Sequence, residues 1–120
     1  FSISLFLSSF NTIFKTNATI VPVDIPDENT IDALANLFKM FGDSTRAKIL
    51  SCLQVKSLYV YEIADILNMS SSAVSHQLRV LRSSKLVKGI KMGKEVLYSI
   101  DDDHVSKIME YGLTHVNEGK

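Results

Sequence analysis

The stretch LYVYEIADILNMSSSAVSHQLRVLRSS, residues 58–84, leaves the chain little freedom in what it can fold into. Its apolar positions predict two helices around a tight turn at residues 68–70. Ala64, Asn68 and Val74 stand four and six residues apart. That is the spacing at which a helix-turn-helix needs a small residue, a turn former and an apolar plug. Ser70 is placed to cap the second helix, whose buried edge would be Val74, Leu78 and Leu81. Its other face would show Ser71, Ser72, Ser75, His76 and Arg79.

Short hydroxyls let a helix sit deep in a DNA major groove, where Ser and His reach base edges and phosphates. The same face would also serve as an ordinary polar surface, so the residues that follow matter. LVKGIKMGKEVLYSI, residues 86–100, alternates on both sides of Met92, Gly93 and Lys94, with Val87, Leu97, Tyr98 and Ile100 apolar. Gly93 supplies the tight turn of a hairpin. No acid occurs between Asp65 and Glu95, while Arg79, Arg82, Lys85, Lys88, Lys91 and Lys94 recur at three-residue intervals. A basic hairpin directly after a candidate recognition helix is a wing, and Lys91 and Lys94 near its tip would lie along a phosphate backbone. The net charge is zero, with 13 basic and 13 acidic side chains, which argues against a nonspecific polyanion binder. The charges are segregated, however. Residues 101–118 carry Asp101, Asp102, Asp103, Glu110 and Glu118 against Lys107 alone, so an anionic partner is expected at one end and a cationic one at the other.

At 120 residues the chain reads as one domain with a modest core that an oligomer interface would help stabilise. A helical pattern opens at Glu28, with Ile31, Leu34, Leu37, Phe38 and Phe41 at three- and four-residue steps, and Gly42 ends it. Asp43 or Ser44 then caps STRAKILSCL, whose Ile49, Leu50 and Leu53 share one side. The domain so defined runs over residues 28–118. Residues 1–27 read as a poorly ordered arm ending in the turn VPVDIPDE. Residues 1–14 resemble a signal core superficially, but no basic residue precedes them, Ser and Asn interrupt them, and they are too short to span a bilayer. The expectation is a cytoplasmic protein with no membrane partner. A lone cysteine, Cys52, excludes a disulfide within the chain and suits a small buried hydrophobe.

The segment DDDHVSKIMEYGLTHVNE, residues 101–118, carries Asp102, His104, His115 and Glu118. On a helix the two histidines would sit ~16 Å apart along the axis. One ion cannot touch both. Asp102 with His104 makes one half of a site and His115 with Glu118 another. Two such helices running antiparallel across a twofold axis would join the first half of one chain to the second half of the other. Such side chains also suit a solvated polar face. His76 lies in the recognition helix, where a DNA or packing contact is the simpler role.

The runs FGDSTRAKIL, ILNMSSSAVSHQLRVLRSSKLVK and MGKEVLYSIDDDHV, with the D-x-H, eleven-residue gap, H-x-x-E pattern, resemble the ArsR/SmtB family of bacterial metal-sensing winged-helix repressors over about residues 30–118. The resemblance implies a mainly α fold with a β-hairpin wing, dimerising through N- and C-terminal helices. It implies that Asp102 and His104 of one protomer and His115 and Glu118 of the other are zinc ligands, and that Ser71, Ser72, Ser75 and His76 face DNA. It further implies that the free ring nitrogen of His115 reaches a main-chain carbonyl near Lys85. Members that sense cadmium, lead or arsenic carry a Cys-x-Cys where this chain has Tyr59 and Tyr61, so no soft site can be built there. What remains is a nitrogen and oxygen site suited to Zn(II) as allosteric effector, with Co(II) a good mimic and Ni(II) possible with added ligands. The expected function is a homodimeric zinc-responsive repressor, released from double-stranded operator DNA when zinc binds. A nickel- or cobalt-responsive repressor, and a metal-blind winged-helix regulator or interaction module, are the rivals. An enzyme is disfavoured, because four protein ligands leave no open position and no nucleophile and base pair stands out.

Overall fold

The computed structural model describes residues 22–119, and the chain divides into two units, Phe1–Ala35 and Asn36–Lys120. Of the arm expected over residues 1–27, residues 1–21 lie outside the described residues, and residues 22–27 carry no regular structure. Helix α1, Glu28–Phe41, starts where Asp27 Oδ1 accepts the Thr30 amide at 2.8 Å. Its end follows from Gly42, whose amide donates back to the Phe38 carbonyl at 2.9 Å.

The second unit holds the core. Asp43 caps helix α2, Ser44–Val55, by accepting the Arg46 amide on Oδ2 at 3.0 Å. Strand β1, Leu58–Tyr59, leads into α3, Val60–Leu67. Helix α4, Ser71–Ser83, strands β2, Val87–Met92, and β3, Glu95–Ile100, and helix α5, Asp103–Asn117, complete the order. Ile49, Leu50, Ile63, Val74, Leu78 and Leu81 are fully buried between α2, α3 and α4. Each such side chain contributes about 1.5–3 kcal/mol by leaving water. Helix α4 follows the expected edge of Val74, Leu78 and Leu81.

The sheet is antiparallel with order β1-β3-β2. Leu58 and Tyr59, expected to begin a helix, instead pair with Tyr98 and Leu97 of β3. The pairing buries Leu58, and the helix starts one residue later, with Glu62 Oε1 accepting the Tyr59 amide at 2.9 Å. In the wing, Val87 faces Ile100, Gly89 faces Tyr98 and Met92 faces Glu95. Gly93 takes the positive φ of 67° that the first central residue of a tight hairpin turn needs.

Two further turns use the left-handed region without glycine. Asn68, at φ 54°, ends α3, and the Met69 amide donates back to the Ala64 carbonyl at 2.9 Å. Lys85, at φ 61°, ends α4. There the Leu86 amide reaches the Leu81 carbonyl and the Lys85 amide the Arg82 carbonyl, both at 3.0 Å, the paired bonds of a Schellman closure. This closure aims β2, and hence the wing, relative to α4. The result is a helix-turn-helix with a β-hairpin wing, built as expected.

Candidate nucleic-acid interface and metal half-sites

Helix α4 starts when Ser70 Oγ accepts the Ala73 amide at 3.1 Å. With Val74, Leu78 and Leu81 turned into the core, the helix leaves Ser71, Ser72, His76 and Arg79 exposed and Ser75 half-buried. These five belong to one helix surface by its 3.6-residue period. Lys91, opposite Val96 in β2, and Lys94, in the hairpin turn, are exposed near the wing tip. Neither forms an ion pair among the described residues, whose two ion pairs both lie in the last helix region. A cationic surface of this kind can meet phosphate without first breaking an ion pair of its own. Arg82 behaves differently. Its guanidinium lies over Gly89, where a Cβ would meet Nη1 at 3.2 Å and a Val96 methyl at 2.7 Å, so the absence of a side chain at Gly89 lets α4 and the wing close on each other.

The four metal-ligand candidates separate as their spacing demands. Asp102 is the N-cap of α5, with Oδ1 accepting the Val105 amide at 3.1 Å, and His104 Nδ1 lies 3.6 Å from that same oxygen. The Val105 amide holds the Asp102 carboxyl below the ordinary carboxylate range, with His104 acting in the same direction. A tetrahedral zinc with bonds near 2.05 Å needs donors about 3.3 Å apart, so this pair fits two corners with little movement. His115 and Glu118 stand at the other end of α5, both exposed. Among the described residues no three His, Cys, Asp or Glu side chains converge within the single chain. Each end of α5 presents two of the four candidate side chains.

A soft thiolate site is absent where Tyr59 and Tyr61 stand, and their rings stack in parallel with centroids 5.6 Å apart. Cys52 is half-buried against the core, and burial pushes its thiol up. Helix α5 is anchored by Val105 and Met109, while every side chain over residues 110–119 is exposed. Its outward face joins the end of α1 in an apolar groove of about 710 Å³, lined by Phe38, Phe41, Ile108, Leu113 and Val116 with His115 at its margin. Phe38 is 54% exposed and Val116 62%. These side chains leave the groove floor open to an apolar partner surface.

Several polar contacts escape any reading of the chain by spacing. Arg46 Nε donates to the Met40 carbonyl at 2.9 Å and Nη1 to Gln77 Oε1 at 3.4 Å. Gln54 and Ser106 bond each other across 52 residues of sequence. Nothing local in the sequence signals these partners. No helix among the described residues is long and apolar enough to cross a membrane.

Comparison with known proteins places this architecture. Residues 43–88 match the family model described as bacterial regulatory protein, arsR family. The chain is 39% identical over 85 residues to a transcriptional repressor SmtB homolog of Synechocystis sp., covering 71% of this chain and 64% of that protein. It is 38% identical over 96 residues to the cadmium resistance transcriptional regulatory protein CadC homolog of Staphylococcus aureus, covering 79% of this chain and 78% of that one. The solution structure of apo-NmtR superposes with a TM-score of 0.70 at 31% identity, over 86% of this chain and 87% of that one.

Proposed function

Since the chain belongs to the ArsR family of bacterial regulatory proteins, a family of transcriptional regulators and not of enzymes, we propose that it is a zinc-responsive repressor that grips operator DNA as a homodimer and lets go when zinc binds between its last helices. The observation that carries this reading is the pair of half-sites on α5. Asp102 and His104 present donors 3.6 Å apart at one end, and His115 and Glu118 stand eleven and sixteen residues further along from His104 and Asp102. An antiparallel partner helix completes each set with His115 and Glu118 of the partner subunit. The apolar groove between α1 and α5 is the surface that such a partner would cover.

When bound, zinc would supply a cross-link between the two last helices. The donor set is two imidazoles and two carboxylates, which suits zinc, and the stacked Tyr59 and Tyr61 leave no thiolate pair for a softer ion. In the metal-free dimer the two α4 helices reach successive major grooves about 34 Å apart. Ser71, Ser72, Ser75 and His76 meet base edges and phosphates, while Arg79, Lys91 and Lys94 hold the backbone. A free ring nitrogen on His115 needs an acceptor, and the main chain near Lys85, between α4 and the wing, is the expected one. Coupling between the two sites is reciprocal, so operator DNA weakens metal binding by the factor by which metal weakens DNA binding.

The test uses Co(II) as a spectroscopic substitute on the dimer. A tetrahedral d–d spectrum without thiolate charge transfer, saturating at one metal per chain, is expected. His104→Ala and His115→Ala should each abolish it, since each removes a ligand from both symmetric sites. Dimers of either variant that still released operator DNA on addition of zinc would show that α5 is not the sensor.

A further inference from the structure

Helix α2 is tied at both ends by polar contacts that the proposed DNA and metal residues do not include. At its C-terminal end, Gln54 Nε2 donates to the Ser106 carbonyl at 3.2 Å, and Ser106 Oγ donates to Gln54 Oε1 at 2.8 Å. Ser106 lies two residues beyond His104, in the first turns of α5. At the N-terminal end, Arg46 bonds the Met40 carbonyl with Nε and the Gln77 side chain with Nη1. Gln77 belongs to α4, between exposed His76 and buried Leu78. Between the two ties, Ile49 and Leu50 are fully buried and Leu53 nearly so. From Arg46 to Gln54 the helix runs ~12 Å, with its inner face packed into the core between the two ties.

The Gln54–Ser106 contact is reciprocal, amide to carbonyl and hydroxyl to amide oxygen. Two bonds of opposite sense fix rotation as well as distance. Both partners are half-buried, so separating them strands an amide and a hydroxyl where water reaches poorly. Apart from this pair, α5 is anchored by the buried Val105 and Met109. A shift of the Asp102/His104 turn must then either carry α2 with it or break both bonds.

We propose that Gln54 and Ser106 are a positioning pair that couples the Asp102/His104 half-site to the recognition helix, with α2 as the strut and Arg46–Gln77 as its far end. This rests on the zinc-repressor reading and specifies how the same site is regulated from within each protomer.

The experiment uses full-length dimer, ZnCl₂, and operator DNA selected in vitro by the metal-free protein. Affinity with and without zinc is compared for wild type, Gln54→Leu, Ser106→Ala and Gln54→Glu. Co(II) affinity and amide exchange in α5 are measured on the same proteins without DNA. Gln54→Leu should keep metal-free DNA affinity and Co(II) affinity within about twofold, lose amide protection in the first turns of α5, and lower the zinc-dependent affinity ratio by about tenfold, while Ser106→Ala, which leaves the residue-106 carbonyl to accept Gln54 Nε2, should lower the ratio by less. Gln54→Glu keeps an acceptor for the Ser106 hydroxyl and should retain part of the ratio. Variants with an unchanged ratio overturn the pair while leaving the zinc reading intact. A ratio that falls only in step with Co(II) affinity also overturns it, because the pair would then merely build the half-site. A wild-type dimer that ignores zinc overturns the functional reading first, and the coupling with it.

Discussion

Replacing Lys85 by glycine should stabilise this protein, although it deletes a side chain and adds flexibility to the unfolded chain. Lys85 sits at φ 61° in the closure that ends α4, exposed, with its amide bonded to the Arg82 carbonyl. An L-residue other than Asn or Asp costs about 1–2 kcal/mol in that region because Cβ crowds the following carbonyl. Glycine removes this strain but adds about 0.4–1 kcal/mol of chain entropy to the unfolded state, which at the middle of both ranges leaves a net gain of about 0.5–1 kcal/mol. With a urea dependence of about 1.5 kcal/mol/M, the midpoint should rise by about 0.3–0.7 M with the slope unchanged. The measurement is urea unfolding of metal-free protein at fixed chain concentration, since dimerisation makes the midpoint concentration-dependent. Asn68→Gly is the internal comparison. Asn68 has nearly the same φ, 54°, but its short polar side chain tolerates the left-handed region, so glycine relieves little strain there and the unfolded-chain entropy should leave the midpoint unchanged or slightly lower. If Lys85→Gly lowers the midpoint, or if the two variants shift alike, the strain argument is wrong.

Lys94→Ala should weaken binding to all DNA sequences alike and reduce the slope of log affinity against log salt by about one unit, read from filter binding across salt concentrations. An unchanged slope would place the wing tip away from phosphate. Asp27, whose carboxyl lies below its ordinary value because the Thr30 amide and hydroxyl bond its ionised form, governs an acid effect on α1. A depressed folded-state pKa means its contribution is complete above the unfolded value and disappears as pH falls through the folded one. Amide protection in the first turn of α1 should therefore fall only below about pH 4. Asp27→Asn, an equally good cap without a charge, should abolish that pH dependence when amide exchange is followed by NMR.

The parts of the fold that could be read from the sequence are those with local causes. Ala64, Asn68 and Val74 announce a helix-turn-helix because helix contact, left-handed turn and core plug are each met within eleven residues. Gly93 announces the wing for the same reason. Leu58 and Tyr59 could not be read, because their strand consists of two residues and exists only through pairing with Tyr98 and Leu97, some forty residues away. Arg46, Gln54 and Ser106 were equally hidden, since a glutamine and a serine carry no period or motif and acquire meaning only when folding sets α2 against α5. The candidate metal ligands were visible as two incomplete pairs by their spacing. One chain brings Asp102 and His104 together and leaves His115 and Glu118 apart from them, which is why their joint role remains a proposal about two chains.

The separation of charge between the recognition helix with its wing and the last helix has a consequence for how the protein finds DNA. With 13 positive and 13 negative side chains, it feels almost no net pull toward a polyanion from far away. It does carry a dipole, with lysines and arginines over residues 79–94 and acids over residues 101–118. In the field near a duplex a dipole experiences a torque, so, if α4 and the wing form the DNA-facing surface proposed above, molecules that drift close would be turned with α4 forward before they touch. Encounters are then no more frequent than for a neutral sphere, yet a larger share begin in the productive orientation. Because a field that turns molecules is screened within about 8–10 Å at physiological salt, the advantage in association rate is confined to the last few water layers.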